Sequence, residues 1–301
     1  MLIQLQNVTK TYGPVTALRD LNLELQPGAL GLLGPNGAGK TTMIRTLLGL
    51  IRIDQGQGTV FGKDIRHDQL AIRQLVGFVP EDECLFPGMQ GVEFVAYAGE
   101  LCGMPGHDSL QRAHEVLDYV GLGEARYRQV ESYSTGMKQR LKIASAIIHD
   151  PKLVILDEPT NGMDPDGREE ILELAQDMHR QKGMSLLFSS HLLPDVESVC
   201  DYIVVMGRGT VLAKGKLAEL KLSSGKVYDV RTKENEPRFA DALLRGHCQV
   251  KQSSEDWTVV LPPEADARLI WEIARREQVQ IRCLRARQKS LEEIFLDALG
   301  A

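Results

Sequence analysis

Cysteine is scarce and follows no pairing pattern. The 301-residue chain has five, at Cys84, Cys102, Cys200, Cys248 and Cys283, and no Cys-x-x-Cys pair. An odd, scattered set indicates neither a disulfide framework nor a zinc site, and a reducing cytoplasm is the simplest compartment. Aromatic residues make up only 5% and the formal net charge is −6. An acidic, aromatic-poor chain lacks the electrostatic footprint of a nucleic-acid binder, so no nucleic-acid partner is expected. No window approaches 18 uninterrupted apolar residues, so no segment is expected to span a membrane, and a membrane role would need a separate subunit. The opening Met1-Leu2-Ile3-Gln4-Leu5-Gln6 lacks a basic start and an apolar core, so no signal peptide is expected. The hydrophobic fraction of 43% suits one large domain, or a larger and a smaller one.

What is present is organised around Gly34-Pro35-Asn36-Gly37-Ala38-Gly39-Lys40-Thr41-Thr42, a G-x-x-x-x-G-K-T phosphate-binding loop. The uncharged run Ala29-Leu30-Gly31-Leu32-Leu33 ahead of it reads as a buried parallel strand, and Thr42 to Leu48 as a helix start. The glycines let successive backbone N–H groups curl around phosphate, and the helix N-terminus adds partial positive charge at the same point. Lys40 can bridge the β- and γ-phosphates, and the Thr41 hydroxyl can ligate Mg²⁺.

Residues 2–8 and 17–25 alternate apolar and polar as half-buried strands do, with turn chemistry at Tyr12-Gly13-Pro14. Short strands are expected at 58–62 and 75–79. From about 88 to 150 the texture turns helical, with helices at 91–102, 109–121 and 137–149. Strands return at 153–156, 185–188, 202–206 and 210–213, with helices at 167–182 and 192–199. A helical insert thus interrupts a parallel-sheet nucleotide fold. At Leu222-Ser223-Ser224-Gly225-Lys226 the pattern restarts. The tail reads as strand (227–231), helix (237–245), strands (247–252 and 257–261), helix (265–277), strand (279–285) and helix (290–299). Its β-α-β-β-α-β order is the ferredoxin-like pattern. The tail carries no chemical motif.

Leu153-Val154-Ile155-Leu156 ends in two carboxylates, Asp157 and Glu158. In open parallel sheets ligands sit beyond the carboxyl ends of strands, where the phosphate loop also emerges. Asp157 can hold the Mg²⁺ hydration shell and Glu158 can take a proton from an attacking water. Ser132-Tyr133-Ser134-Thr135-Gly136-Met137-Lys138-Gln139-Arg140 places Ser134 as an N-cap and Gly136 at a helix start, a second phosphate-binding helix N-terminus. His191 follows Ser189-Ser190 at another strand's carboxyl end, where a γ-phosphate would lie.

In this order the motifs resemble the ATP-binding-cassette ATPases, over roughly residues 2–220. The form Tyr133-Ser134-Thr135-Gly136-Met137-Lys138-Gln139-Arg140 and the tail Ser290-Leu291-Glu292-Glu293-Ile294-Phe295-Leu296 look like the ATPase subunits of type-2 exporters. The resemblance implies an α/β phosphate-loop fold with a parallel RecA-like core, an antiparallel β subdomain and a helical subdomain at about 88–150. This would be a nucleotide-binding ATPase domain over 1–221, followed by a small α+β accessory domain over 222–301. It implies ATP hydrolysis with Mg²⁺ at the cytoplasmic face of the inner or plasma membrane, a separately encoded membrane permease, and a second nucleotide-binding subunit, either another copy or a paralogue. Tyr12 would stack on adenine, and Gly34 to Thr42 would hold the phosphates. Thr41 and Asp157 would serve Mg²⁺, Glu158 would polarise the water, and His191 would contact the γ-phosphate. Ser134 and Gly136 would bind the ATP of the opposite subunit, and Asp164 would lie in the loop that crosses between subunits.

One position departs from the family. After Val76-Gly77-Phe78-Val79-Pro80, where the family usually has glutamine, the chain has Glu81, followed by Asp82 and Glu83. Two like unit charges about 4 Å apart repel by roughly 4 kcal/mol at an effective dielectric of 20, so Glu81 beside bare phosphate would be costly. Beside Mg²⁺ a carboxylate is favourable. Glu81 is therefore expected to approach the metal, or to point away without nucleotide. Two other readings have less support. Non-transporting relatives acting on ribosomes or DNA usually carry two cassettes or a long coiled coil, and a guanine-nucleotide enzyme needs an Asn-Lys-x-Asp motif that is missing here.

Overall fold

The computed structural model describes residues 1–222, 227–233, 237–252, 256–262, 264–287 and 290–299. The chain forms two compact units, one built on Met1–Leu217 and the other on Ala218–Asp297.

The first unit opens with a hairpin, β1 (Ile3–Tyr12) and β2 (Val15–Leu25), in antiparallel register from Ile3 opposite Leu25 to Tyr12 opposite Val15. The buried leucines 21, 23 and 25 confirm the two-residue period of the sequence. Next come β3 (Ala29–Leu33), α1 (Lys40–Leu47), β4 (Gln55–Val60), the two-residue β5 (Lys63–Asp64), α2 (Gln69–Arg73) and β6 (Val76–Val79). The helical stretch is α3 (Gly91–Leu101), α4 (Gly106–Tyr119) and α5 (Thr135–Ile147). The unit finishes with β7 (Leu153–Asp157), α6 (Pro165–Arg180), β8 (Ser185–Ser189), α7 (Leu193–Val199), β9 (Tyr202–Gly207) and β10 (Thr210–Lys216). The sequence reading did not include β5, α2 or α8 (Leu217–Leu222), which are too short to show a period.

Strands β2-β1-β4-β5 form an antiparallel sheet, and β10-β9-β3-β8-β7-β6 a second sheet that is parallel except for the edge pair β9 and β10. Every residue of β3, β7 and β8 is buried, as strands covered on both faces require. The two sheets share one core, in which Leu5, Leu23, Met43, Leu47, Ile155 and Val204 lie together. Helix α5 approaches β6 closely. A Cβ on Gly77 would fall 2.2 Å from the Ala146 carbonyl oxygen, so any larger residue there would push the helix away.

The second unit comprises β11 (Val227–Thr232), α9 (Pro237–Arg245), β12 (Gln249–Gln252), β13 (Trp257–Val260), α10 (Arg268–Arg276), β14 (Ile281–Ala286) and, as far as Asp297, α11 (Leu291–Leu299). Its sheet order is β12-β13-β11-β14, with every pair antiparallel. This is the split β-α-β arrangement that the element order implied. Val230, Phe239, Leu243, Val259, Ile270 and Ile273 make its core. The restart read at 222–226 lies, apart from the last residue of α8, outside the described residues.

Candidate functional site

Four parallel strands deliver the site at their carboxyl ends. The phosphate loop follows β3, Glu81 lies two residues after β6, Asp157 ends β7, and His191 lies two residues after β8. Their side chains meet because the sheet's parallel register puts these ends on one edge.

A hollow of about 450 Å³ is lined by Tyr12, by Pro35, Asn36, Gly37, Ala38, Gly39, Lys40, Thr41 and Thr42, and by Glu81, Glu158, Asn161 and His191. Helix α1 begins at Lys40 with no capping side chain and no acid in its first turn, which leaves its N–H groups facing the hollow. Gly39 has φ 102°, and a Cβ there would also lie 2.6 Å from the Ala17 carbonyl oxygen. Only glycine meets both conditions. Tyr12, 47% exposed, stands at the lip, with the Lys10 ammonium 5.4 Å from its ring centroid.

Lys40 is 7% exposed; its Nζ donates to the Gly34 carbonyl at 2.7 Å and lies 3.4 Å from Glu158 Oε1. The other Glu158 oxygen accepts from His191 Nδ1 at 2.7 Å and from the His191 backbone N–H at 3.2 Å. A carboxylate accepts only, so Nδ1 carries the proton and Nε2 faces away from this bond. Glu158 adopts φ 50°, and its N–H donates to the Ser189 carbonyl at 2.9 Å. A left-handed glutamate costs about 1–2 kcal/mol, which the surrounding strands must supply, and such strain concentrates at working sites.

Thr41 Oγ1 donates to Asp157 Oδ2 at 3.1 Å. Asp157 Oδ1 is buried and has no hydrogen-bond partner. Burial pushes the Asp157 carboxyl pKa up, against the pull of the neighbouring Ser189 and Thr41 hydroxyls, and the charges of Glu158 and Glu81 raise it further. A hydroxyl and an orphaned carboxylate oxygen side by side fit a hard divalent cation such as Mg²⁺. Among the described residues no group of three His, Cys, Asp or Glu could hold a metal.

Glu81 is exposed and lines the hollow, where its Oε1 accepts from Asn161 Nδ2 at 3.1 Å. The place of Asn161 in the hollow shows only once β6 and β7 are adjacent. Ser134 and Gly136 are not in the hollow. Ser134 is exposed and caps α5, its Oγ accepting from the Met137 N–H at 3.3 Å. Gly136 lies against Met163, whose Cε would sit 3.5 Å from a Cβ. Asp164 caps α6 by accepting from the Gly167 N–H at 2.8 Å, with Pro165 opening the helix.

The loop after Glu158 is anchored from below by Asp195, which is fully buried. It accepts from Thr160 Oγ1 at 2.5 Å and from Arg168 Nε at 2.6 Å. Asp195→Ala is expected to lower stability by about 3–5 kcal/mol, since it strands a partly buried guanidinium. Urea denaturation reads the effect, and a loss under about 1 kcal/mol would show that Arg168 finds water instead.

A model of the ABC transporter family matches residues 18–161. The linearmycin resistance ATP-binding protein LnrL of Bacillus subtilis is 38% identical over 220 residues, which are 73% of this chain and 70% of that protein. The daunorubicin/doxorubicin resistance ATP-binding protein DrrA of Streptomyces peucetius is 32% identical over 308 residues, 99% of this chain and 92% of that protein. Among solved structures, a dimeric ATP-binding cassette in a post-hydrolysis state bound to ADP and Pi superposes with a TM-score of 0.66 at 26% identity, over 72% of this chain and 99% of that one. The likeness extends through the phosphate loop, the carboxylate pair and the sheet that presents them, and the chain belongs to the ABC transporter family as an ATP-binding subunit that hydrolyses ATP.

Proposed function

We propose that this ATPase powers export through a separate membrane permease and works as a pair of cassettes that closes over ATP. The observation that carries the pairing is the separation of the two phosphate-binding helix starts. The hollow is lined by residues 35–42, the expected phosphate ligands, while Ser134 and Gly136 stay outside it. A second cassette, either another copy or a paralogue, would bring its own Ser134 and Gly136 to that hollow. Export is supported by the drug-resistance names of the relatives LnrL and DrrA. A permease is supported by membership of the ABC transporter family, and no helix among the described residues is long and apolar enough to cross a membrane. Phe86, in the loop before α3, and Tyr97, on α3, offer it an exposed aromatic pair: they are 52% and 42% exposed, with ring centroids 6.2 Å apart. The subunit would then sit at the cytoplasmic face of that membrane, and residues 222–301 would form an accessory domain without a catalytic group.

Within the hollow, Tyr12 would stack on adenine, and residues 34–42 with Lys40 would hold the phosphates. Thr41, Asp157 and Glu81 are the residues that would hold Mg²⁺, which when bound neutralises charge on the phosphate oxygens. Glu158 would accept the proton of the attacking water. His191, hydrogen-bonded to it, would orient that carboxylate and reach the γ-phosphate.

A split site makes turnover depend on encounter. Specific ATPase activity of the purified chain is expected to rise with protein concentration until pairing saturates. An activity per subunit that stays flat over about a hundredfold dilution through the micromolar range would contradict the pairing.

A further inference from the structure

Lys142 stands in the middle of α5 among buried Leu141, Ile143, Ala144 and Ala146, and is 7% exposed. Burying an ammonium is costly unless its protons are matched. Here all three face carbonyl oxygens. Nζ donates to Pro80 at 2.7 Å, to Asp82 at 3.2 Å and, more weakly, to Glu81 at 3.4 Å. One turn earlier on the same helix face, Lys138 Nζ meets Glu83 Oε1 at 2.5 Å. Two lysines four residues apart therefore grip four consecutive residues, 80–83, that leave β6 with no strand or helix to hold them.

The grip also answers a charge problem. Glu81, Asp82 and Glu83 are adjacent and repel one another, and the buried ammonium lies against the main chain that carries the first two. Burial holds the Lys142 pKa below the usual lysine value, and Cys84 with the three acids of the loop offsets only part of that lowering. The contact thus balances a cation that lacks water against anions that need a cation.

Glu81 is tied at both ends. Its carbonyl rests on Lys142, and its carboxylate accepts from Asn161 inside the hollow. We infer that Lys142 is a positioning residue for ATP hydrolysis, which holds the main chain at Glu81 and so sets the Glu81 carboxylate relative to the helix that starts at Ser134. The inference rests on the reading of Glu81 as a working member of the site. Its physical consequence is direct: a carboxylate misplaced by about 1 Å costs as much as 10²-fold in rate while substrate still binds. It also ties the placement of Glu81 to any movement of α5.

The test is a double-mutant cycle on the purified full chain, reading kcat and KM for ATP in the presence of Mg²⁺. Lys142→Met keeps the stem and removes the donors. It is expected to lower kcat at least about tenfold and to change KM less than about threefold. In a Glu81→Ala background the same change is expected to cost under about threefold more, because the group that Lys142 positions is already gone. A second full tenfold loss there would show that Lys142 acts by another route and would overturn the inference, as would a Lys142→Met chain with unchanged kcat. A Glu81→Ala chain with wild-type kcat would instead sink the reading of Glu81 itself. Should Lys142→Met fail to fold, Lys142→Gln, whose amide still donates to one carbonyl, carries the same cycle with the same expected non-additivity.

Discussion

Glu158→Gln is expected to bind ATP at least as tightly as the wild type and to turn it over about 10²–10⁴ times more slowly, the usual contribution of a positioned proton acceptor. The substitution keeps size and removes only charge and basicity. The Glu158 carboxylate lies 3.4 Å from Lys40. An arriving triphosphate must draw Lys40 away from that partner and from the Gly34 carbonyl. Glutamine removes the competition, so affinity is held or gained while the proton loses its destination. Equilibrium binding of ATP and steady-state release of phosphate separate the two effects. Turnover within about threefold of wild type would remove Glu158 from the proton-accepting role.

Lys40→Ala is expected to weaken ATP binding by roughly 10²–10⁴ and to abolish measurable hydrolysis. The ammonium would make about two charge-assisted hydrogen bonds to phosphate oxygens, each worth about 1.5–3 kcal/mol. The variant also leaves Glu158, with its side chain only 9% exposed, facing the phosphates without the cation beside it. Repulsion then adds to the lost attraction. Equilibrium dialysis against ATP measures the effect, with thermal unfolding as the check that the fold is kept. Binding within about fivefold of wild type would show that the backbone N–H groups of the loop carry the affinity without the lysine.

Much of this site was readable from residues alone because its parts are local. A glycine loop between an apolar strand and a helix, and two acids closing an apolar strand, carry their geometry in neighbouring residues. The tail's element order was legible in the same way, from short runs of alternating and periodic residues. Three things were not. Lys142 in a helix reads as a surface residue, and its burial depends on a loop 60 to 62 positions earlier that closes over it. Asp195 reads as an acid in a helix's first turn, yet it is fully buried because Arg168 and Thr160 converge on it. The Glu81–Asn161 contact spans 80 positions and needs β6 beside β7, a pairing that no local pattern expresses. Local chemistry writes itself into the sequence; compensation between distant charges does not.

The positive φ of Glu158 bears on how this protein responds to selection. Asparagine tolerates that backbone conformation better than glutamate does. Stability alone still does not favour asparagine there, because it would leave the 7% exposed Lys40 ammonium and His191 without the charge they meet at position 158. The backbone strain at Glu158 is thus held by its own ion pair, and a thermostabilised form of this ATPase should be built with that position held constant.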